Sequence, residues 1–433
     1  MAELPKDIYP YGGFGFFNFI PSQHCVRLWE GQDCCLRIPV KVRSVSQGRQ
    51  CWMRNHRKFI QWDITHRCNL QCAHCRSTEF YRNRQVEDLS LADNKKIAQE
   101  LCLNGVRRVH FLGGEPLLRD DFPELVGYMV KLGIDCSVNT NGTLLTTSVA
   151  ERLIDAGISI ITVSLDGPDA QSNDAVRGKG VFAPVCRNIE QLTQMIAAKK
   201  KATRVVVACT LVKGNIGKLR TMALLIKRLG VDNLILSPLR LSGNAIDHAA
   251  DLSPDQDMQL AMGEEIAATT ASGDTVHLQL GFPPIVTQYL NEKYATSFPV
   301  YATACNAIRV KGYLQPDGAL FPCQALTDTA DKRLPIGPLP RRSLVDHSFA
   351  EIWNSSELQN IEALLYSEEI KNRMLPCRYC RYFPTICYPC PLTSLRGKTT
   401  IKYMCLKAMA KMAKIRGQSV PWENLLAATN PLP

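Results

Sequence analysis

Cys68, Cys72 and Cys75 share one short stretch, CNLQCAHC, with His74 just before the last of them. Three thiols are an odd number for disulfides and one short of the four ligands of a closed zinc site. Three thiolates can instead hold three irons of a [4Fe–4S] cube, leaving the fourth iron open to a small molecule. A second system follows near the C-terminus: Cys305, Cys323, then Cys377, Cys380, Cys387 and Cys390 within CRYCRYFPTICYPC, then Cys405. C-x2-C pairs are also zinc-knuckle spacing, but seven thiols do not divide into two closed sites of four.

The chain has 433 residues and 18 cysteines. It begins without a basic stretch leading into an apolar one, and no apolar run is long enough to span a bilayer. The expected location is the cytoplasm, where thiols stay reduced and serve metal or redox chemistry. Cys25, Cys34, Cys35 and Cys51 have no ligand-like spacing and read as core or surface thiols. The net charge of +11 is concentrated in the first seventy residues and between Arg396 and Arg416. It reads as a solvated basic face, or as a surface for an acidic partner such as a peptide leader or electron donor. No aromatic-studded basic motif points to nucleic acid.

These residues need elements to position them. Residues 1–58 form an N-terminal extension, in which Leu36, Ile38, Val40 and Val42 alternate as in a strand. From 59 to 240 strand and helix patterns alternate. The strands read at 59–65, 107–114, DCSVNTNG, SIITVSLDG, TRVVVACTLV and DNLILSPL, with helices stopping at Gly105 and Gly133 between them. Six or so serial βα units form a parallel sheet, doubly wound or closing toward a barrel, with its site at the C-terminal ends of the strands. The cysteine loop follows the first strand, GGEPLL the second, NTNG the third and SLDGP the fourth. Residues 241–300 form a bridging helical and loop segment, with Ser253 as N-cap and Pro254 opening a helix. Its aromatic residues, Phe282, Tyr289, Tyr294, Phe298 and Tyr301, read as packing, with a channel lining as the alternative. Residues 301–433 hold the second cysteine system and an amphipathic packing helix near 401–417, which carries Cys405 on its apolar face.

C-x3-C-x2-C after the first strand, with an aromatic residue before the last cysteine, resembles the radical S-adenosylmethionine (SAM) superfamily. The resemblance covers roughly residues 59–240 and implies an α/β fold, a partial (β/α)6 TIM-like barrel. By that resemblance Cys68, Cys72 and Cys75 hold a [4Fe–4S] cluster whose open iron chelates SAM. Gly113, Gly114, Glu115 and Pro116 would meet the methionyl amino group, and His74 the adenine. Asn141 belongs to the same cofactor rim, and Ser164, Asp166 and Arg177 are candidates for the ribose and carboxylate.

The seven later cysteines, with IGPLPRRSLVDHSFAEIWNSSEL between them, resemble the small cysteine-rich SPASM domain, which holds two auxiliary [4Fe–4S] clusters. The family spacing C-x2-C-x5-C-x3-C is here C-x2-C-x6-C-x2-C, with Pro389 inside the last pair. The family pattern gives Cys377, Cys380, Cys387 and Cys405 to an outer cluster. It gives Cys305, Cys323 and Cys390 to an inner one, whose last iron is left to substrate, water or another residue. The resemblance implies three clusters, SAM and a flavodoxin- or ferredoxin-type electron donor. It implies oxidative modification of a ribosomal peptide, with a separate leader-binding protein as a further partner. The alternative is a dehydrogenase or epimerase of a small molecule such as an amino sugar. An epimerase needs a hydrogen donor, and Cys209 on the fifth strand is the thiol nominated.

Overall fold

The computed structural model describes residues 8–13, 58–78, 86–271, 276–327, 339–374, 377–380, 382–384, 387–392 and 400–415. The strand expected at 36–42 and the cysteines at 25, 34, 35 and 51 lie outside them.

Nine strands make the main sheet, in the order β11-β10-β2-β3-β4-β5-β6-β7-β8. Six come from the βα repeat: β2 (Lys58–Asp63), β3 (Val106–Leu112), β4 (Asp135–Thr140), β5 (Ile160–Ser164), β6 (Arg204–Leu211) and β7 (Asn233–Pro238). β8 (His277–Leu280) adds a parallel strand beside β7. β10 (Lys311–Leu314) adds another beside β2, and β11 (Leu320–Phe321) turns back antiparallel on β10. The sheet is therefore open, and it draws strands from both the bridging segment and the cysteine-rich part. A smaller sheet joins β1 (Ile8–Gly13), β9 (Val300–Ala304) and β12 (Cys387–Tyr388).

Helices α1 (Leu91–Leu103), α2 (Phe122–Lys131), α3 (Thr147–Asp155), α4 (Ala170–Arg177), α5 (Phe182–Lys199) and α6 (Leu219–Arg228) separate the strands. Three of them start from side-chain caps: Ser90 accepts from the Asp93 amide, Thr146 from Val149 and Asp169 from Ser172. Gly105 and Gly133 end their helices with φ of 79° and 77°, a left-handed turn that glycine adopts without strain. The helix expected from Ser253 instead begins later, as α7 (Gln256–Ala271). The Asp255 carboxylate takes the Met258 amide at 2.7 Å, a charged acceptor that suits a helix start better than a hydroxyl. α8 (Pro284–Tyr294) and α9 (Thr400–Ile415) pack together, with Tyr289, Ala408 and Met412 buried. Phe282, Tyr289 and Phe298 are all buried, which is packing rather than a channel wall.

Alternation sorts each strand between two faces. Ile60, Trp62, Val109, Phe111, Val138, Ile161, Val163 and Val207 join Ile97, Met129, Leu153 and Ile189 of the helices in one apolar core. The opposite, inner face is polar: Gln61, His110 and Ser137 lie side by side across β2, β3 and β4. His110 is buried, its Nδ1 lies 2.7 Å from the Ser137 hydroxyl, and burial lowers its imidazole to about 3.

Candidate active site and thiol groups

The cysteine loop leaves the C-terminal end of β2 and is held from three sides. The Gly114 and Glu115 amides donate to Thr65 O and Arg67 O, each at 2.8 Å. The Ala73 amide donates to Val176 O at 2.8 Å, at the end of α4. Asn244, after β7, donates its amide to Cys75 O and its side chain to Cys72 O, both at 3.0 Å. A Cβ on Gly113 would meet Thr65 O at 2.2 Å, and one on Gly114 would meet Arg67 O at 2.1 Å. Only glycines let the GGEP loop lie this close to the cysteine loop.

Glu115 has no accessible surface. Its carboxylate accepts from the Leu117 amide (3.1 Å), the Thr140 hydroxyl (2.8 Å) and the Asn141 amide (2.7 Å). Burial pushes its carboxyl up to about 7 against the pull of those donors. It thereby ties the GGEP turn to NTNG, while Asn141 reaches Asn69 of the cysteine loop at 2.8 Å. Pro116 opens the one-turn helix that Glu115 caps.

Asp166 is likewise buried. His74 Nε2 lies 3.1 Å from its Oδ2, Arg177 Nε 2.7 Å from the same oxygen, and the Thr210 amide 2.7 Å from Oδ1. Burial alone would raise this carboxyl, but Arg177 and His74 hold it well below the usual range. His74 Nδ1 is buried with no hydrogen-bond partner among the described residues. Ser164 ends β5 on the inner face, beside Ala208 of β6. Cys209 does not share that face. It alternates with Ala208 and packs with Val205, Val207 and Leu211 in the helix-side core, and burial raises its thiol far above normal. Asp166 and Arg177 act on it electrostatically, and the Asn215 side-chain amide lies 3.6 Å from its sulfur.

The thiols form three groups. Cys75 acts electrostatically on Cys68 and Cys72, and burial pushes Cys72 up to about 12. Cys305, raised by burial to about 12, is acted on by Cys390 and Cys323. Cys387 is raised by burial and by Cys377 and Cys380, and Cys405 by burial and by those same three residues. β12 makes this division: it pairs with β9 in parallel, Cys387 beside Thr303, so that the Cys305 amide meets Tyr388 O at 3.1 Å.

The fit to iron–sulfur clusters and SAM rests on this donor set. The thiols lie within electrostatic reach of each other, yet among the described residues no three His, Cys, Asp or Glu side chains converge to hold a metal ion. The buried, unpartnered His74 Nδ1 suits a polar group of a small ligand placed against the cysteine loop.

Comparison with known proteins agrees with the geometry. The radical SAM superfamily model matches residues 62–215, and the model of the SPASM iron–sulfur cluster-binding domain matches 305–381. Mycofactocin maturase MftC of Mycolicibacterium smegmatis is 32% identical over 300 residues, covering 69% of this chain and 70% of its own. The chain belongs to the radical SAM superfamily. It is a radical SAM enzyme with a C-terminal SPASM domain, and so binds SAM and iron–sulfur clusters. AdoMet-dependent heme synthase of Methanosarcina barkeri is 28% identical over 345 residues, covering 78% of this chain and 92% of its own. Among solved structures, Streptococcus suis SuiB bound to precursor peptide SuiA superposes with a TM-score of 0.61 at 15% identity, covering 83% of this chain and 78% of its own. AdoMet-bound anSMEcpe superposes at 0.60 and 16%, covering 83% and 93%. At such identities these two matches speak for the radical SAM fold. No helix among the described residues is long and apolar enough to cross a membrane. The SPASM match ends before Cys387, where the cysteine spacing departs from the family's.

Sequence reading did not mark Gly243 and Asn244, which clamp the cysteine loop from β7. The SGN turn after a sixth strand was the available signal.

Proposed function

We propose that this radical SAM/SPASM enzyme oxidatively matures a ribosomally made peptide, using three [4Fe–4S] clusters. The similarity to a mycofactocin maturase over 69% of the chain carries this reading. Cys68, Cys72 and Cys75 hold the first cluster, and the GGEP loop and His74 orient SAM beside it. When bound, the cluster and SAM together supply a 5′-deoxyadenosyl radical that takes a hydrogen atom from a substrate carbon. Asp166 fixes His74 and Arg177 against the cysteine loop. Glu115 keeps the GGEP and NTNG turns in register, so the cleft does not reshape as SAM enters. Cys305, Cys323 and Cys390 form the inner site on the substrate side, and Cys377, Cys380, Cys387 and Cys405 the outer one. Together they provide a route for the second electron of the oxidation to leave. A flavodoxin- or ferredoxin-type protein supplies the first electron, and a separate protein presents the peptide leader.

A test incubates anaerobically reconstituted enzyme, SAM and reductant with synthetic candidate precursor peptides. Peptide-stimulated 5′-deoxyadenosine and a matching change in peptide mass are expected. The similarity to a heme synthase favours a second reading, a small-molecule oxidation. Stimulation by an iron tetrapyrrole, with none by peptide, would establish it in place of the first.

A further inference from the structure

Cys72, the middle thiol of the cysteine loop, lies against the C-terminal end of α4. Its Sγ is 3.9 Å from the Arg177 carbonyl oxygen and 4.0 Å from Nη1 of the same residue. The last carbonyls of a helix carry partial negative charge. A thiol can donate to such an oxygen. A thiolate cannot, and its charge is repelled there. A helix end is therefore a poor place for a metal-binding sulfur unless a cation offsets it. Arg177 brings that cation: one residue presents an opposing carbonyl and a compensating guanidinium to the same sulfur.

The surroundings hold this arrangement still. The Ala73 amide donates to Val176 O at 2.8 Å, so the residue after Cys72 is pinned to α4. On the other side Arg177 Nε lies 2.7 Å from Asp166 Oδ2, with the arginine side chain 8% exposed and the carboxylate fully buried. A fixed charge beside a sulfur in such water-poor surroundings is screened little by solvent or salt. Cys68 is served differently. Its Sγ takes the Leu70 amide at 3.5 Å, a neutral donor from its own loop.

We propose that Arg177 sets the reduction potential of the first cluster through Cys72, with Asp166 as the opposing half of the same device. The inference rests on the reading of Cys68, Cys72 and Cys75 as iron ligands. Hydrogen bonds to the sulfurs and net charge are among the levers that set such a potential. Reduction adds one electron, so a nearby cation favours the reduced form and a nearby anion the oxidised one. Arg177 raises the potential and Asp166 lowers it. Arg177 acts here through a ligand sulfur, as a positioning residue, and this role is separate from any contact with the SAM carboxylate.

The test is an anaerobic redox titration of the reconstituted holoenzyme without SAM, followed by electron paramagnetic resonance. The first cluster's signal is the one missing when Cys68, Cys72 and Cys75 are all changed to Ala. Arg177→Gln should lower that cluster's midpoint and Asp166→Asn should raise it. Each shift should be at least tenfold in the reduction equilibrium, about 59 mV for one electron. The double variant should fall between the two, and Arg177→Lys should return most of the shift. Iron content is measured first; if Arg177→Gln loads poorly, Asp166→Asn and the double variant carry the comparison. Shifts in the same direction from both single variants would mean a disturbed loop and overturn the proposal. An unmoved potential, with only SAM affinity weakened, would overturn it too and leave the cluster reading standing. A parent protein with no cluster on Cys68, Cys72 and Cys75 would overturn both.

Discussion

Arg177 and His74 meet on a single oxygen of Asp166, at 2.7 and 3.1 Å, in a carboxylate without accessible surface. One residue comes from the end of α4, one from the cysteine loop and one from the turn after β5. The triad joins the cysteine loop to the end of α4 and the turn after β5.

Replacing Asp166 by Asn should therefore loosen that joint. Leaving Arg177 buried without its carboxylate costs about 3–5 kcal/mol. The denaturation midpoint should fall, and SAM cleavage should weaken more than tenfold, while iron content holds. Because the folded-state value of Asp166 is depressed, its contribution is present above the ordinary Asp range and is lost as pH falls through the lower folded value. Stability of the Asn variant should accordingly change less than that of the parent between pH 5 and 3 (both approximate limits, about one unit either way).

Glu115 titrates in the opposite sense. Its folded-state value is raised to about 7, so its stabilising contribution is full below the ordinary Glu range and is lost as pH rises through about 7. The ammonium of SAM, bound at this loop, would draw the carboxyl down again. Binding should then release up to about half a proton near neutral pH, seen as a dependence of the calorimetric heat on buffer ionisation. Glu115→Gln should abolish that release. Buffer-independent heats in the parent enzyme would contradict the assignment.

Gly114→Ala tests the close approach of the two loops. The added carbon would sit 2.1 Å from Arg67 O, so one loop must move. Overpacking of this kind costs about 1–3 kcal/mol. We expect at least a tenfold rise in KM for SAM, with all three thiol groups still loading iron. Gly133→Ala, in open space but at φ 77°, is the control for backbone strain alone.

Iron counting tests the thiol groups. Three cubes predict about twelve irons per chain, and converting Cys68, Cys72 and Cys75 together to Ala should leave about eight. The triple variant should form no 5′-deoxyadenosine under dithionite. If, as proposed, only Cys305, Cys323 and Cys390 hold the inner auxiliary cluster, substrate should shift its electron paramagnetic resonance signal alone. Saturation at about four irons with bound zinc would remove the auxiliary clusters from the reading.

The βα core was legible because its signals are local. Apolar strand runs, N-cap residues and terminal glycines such as Gly105 and Gly133 specify their own neighbourhoods. β8 and β10 were not legible, because four residues of strand take their place from long-range pairing with β7 and β2. Cysteine spacing pointed to the metal loop, but not to its clamps. Asn244 reaches Cys72 across 172 positions of chain, a contact that only the folded sheet creates.

β12 is only Cys387 and Tyr388, yet Cys387 belongs to the outer thiol group and Cys390, three positions on, to the inner one. A single turn thus shares its backbone between two metal sites. If both sites take clusters as proposed, filling one should fix this segment and preorganise the other. Iron uptake by the C-terminal part should rise sigmoidally, with half-loaded chains scarce at every stage of the titration.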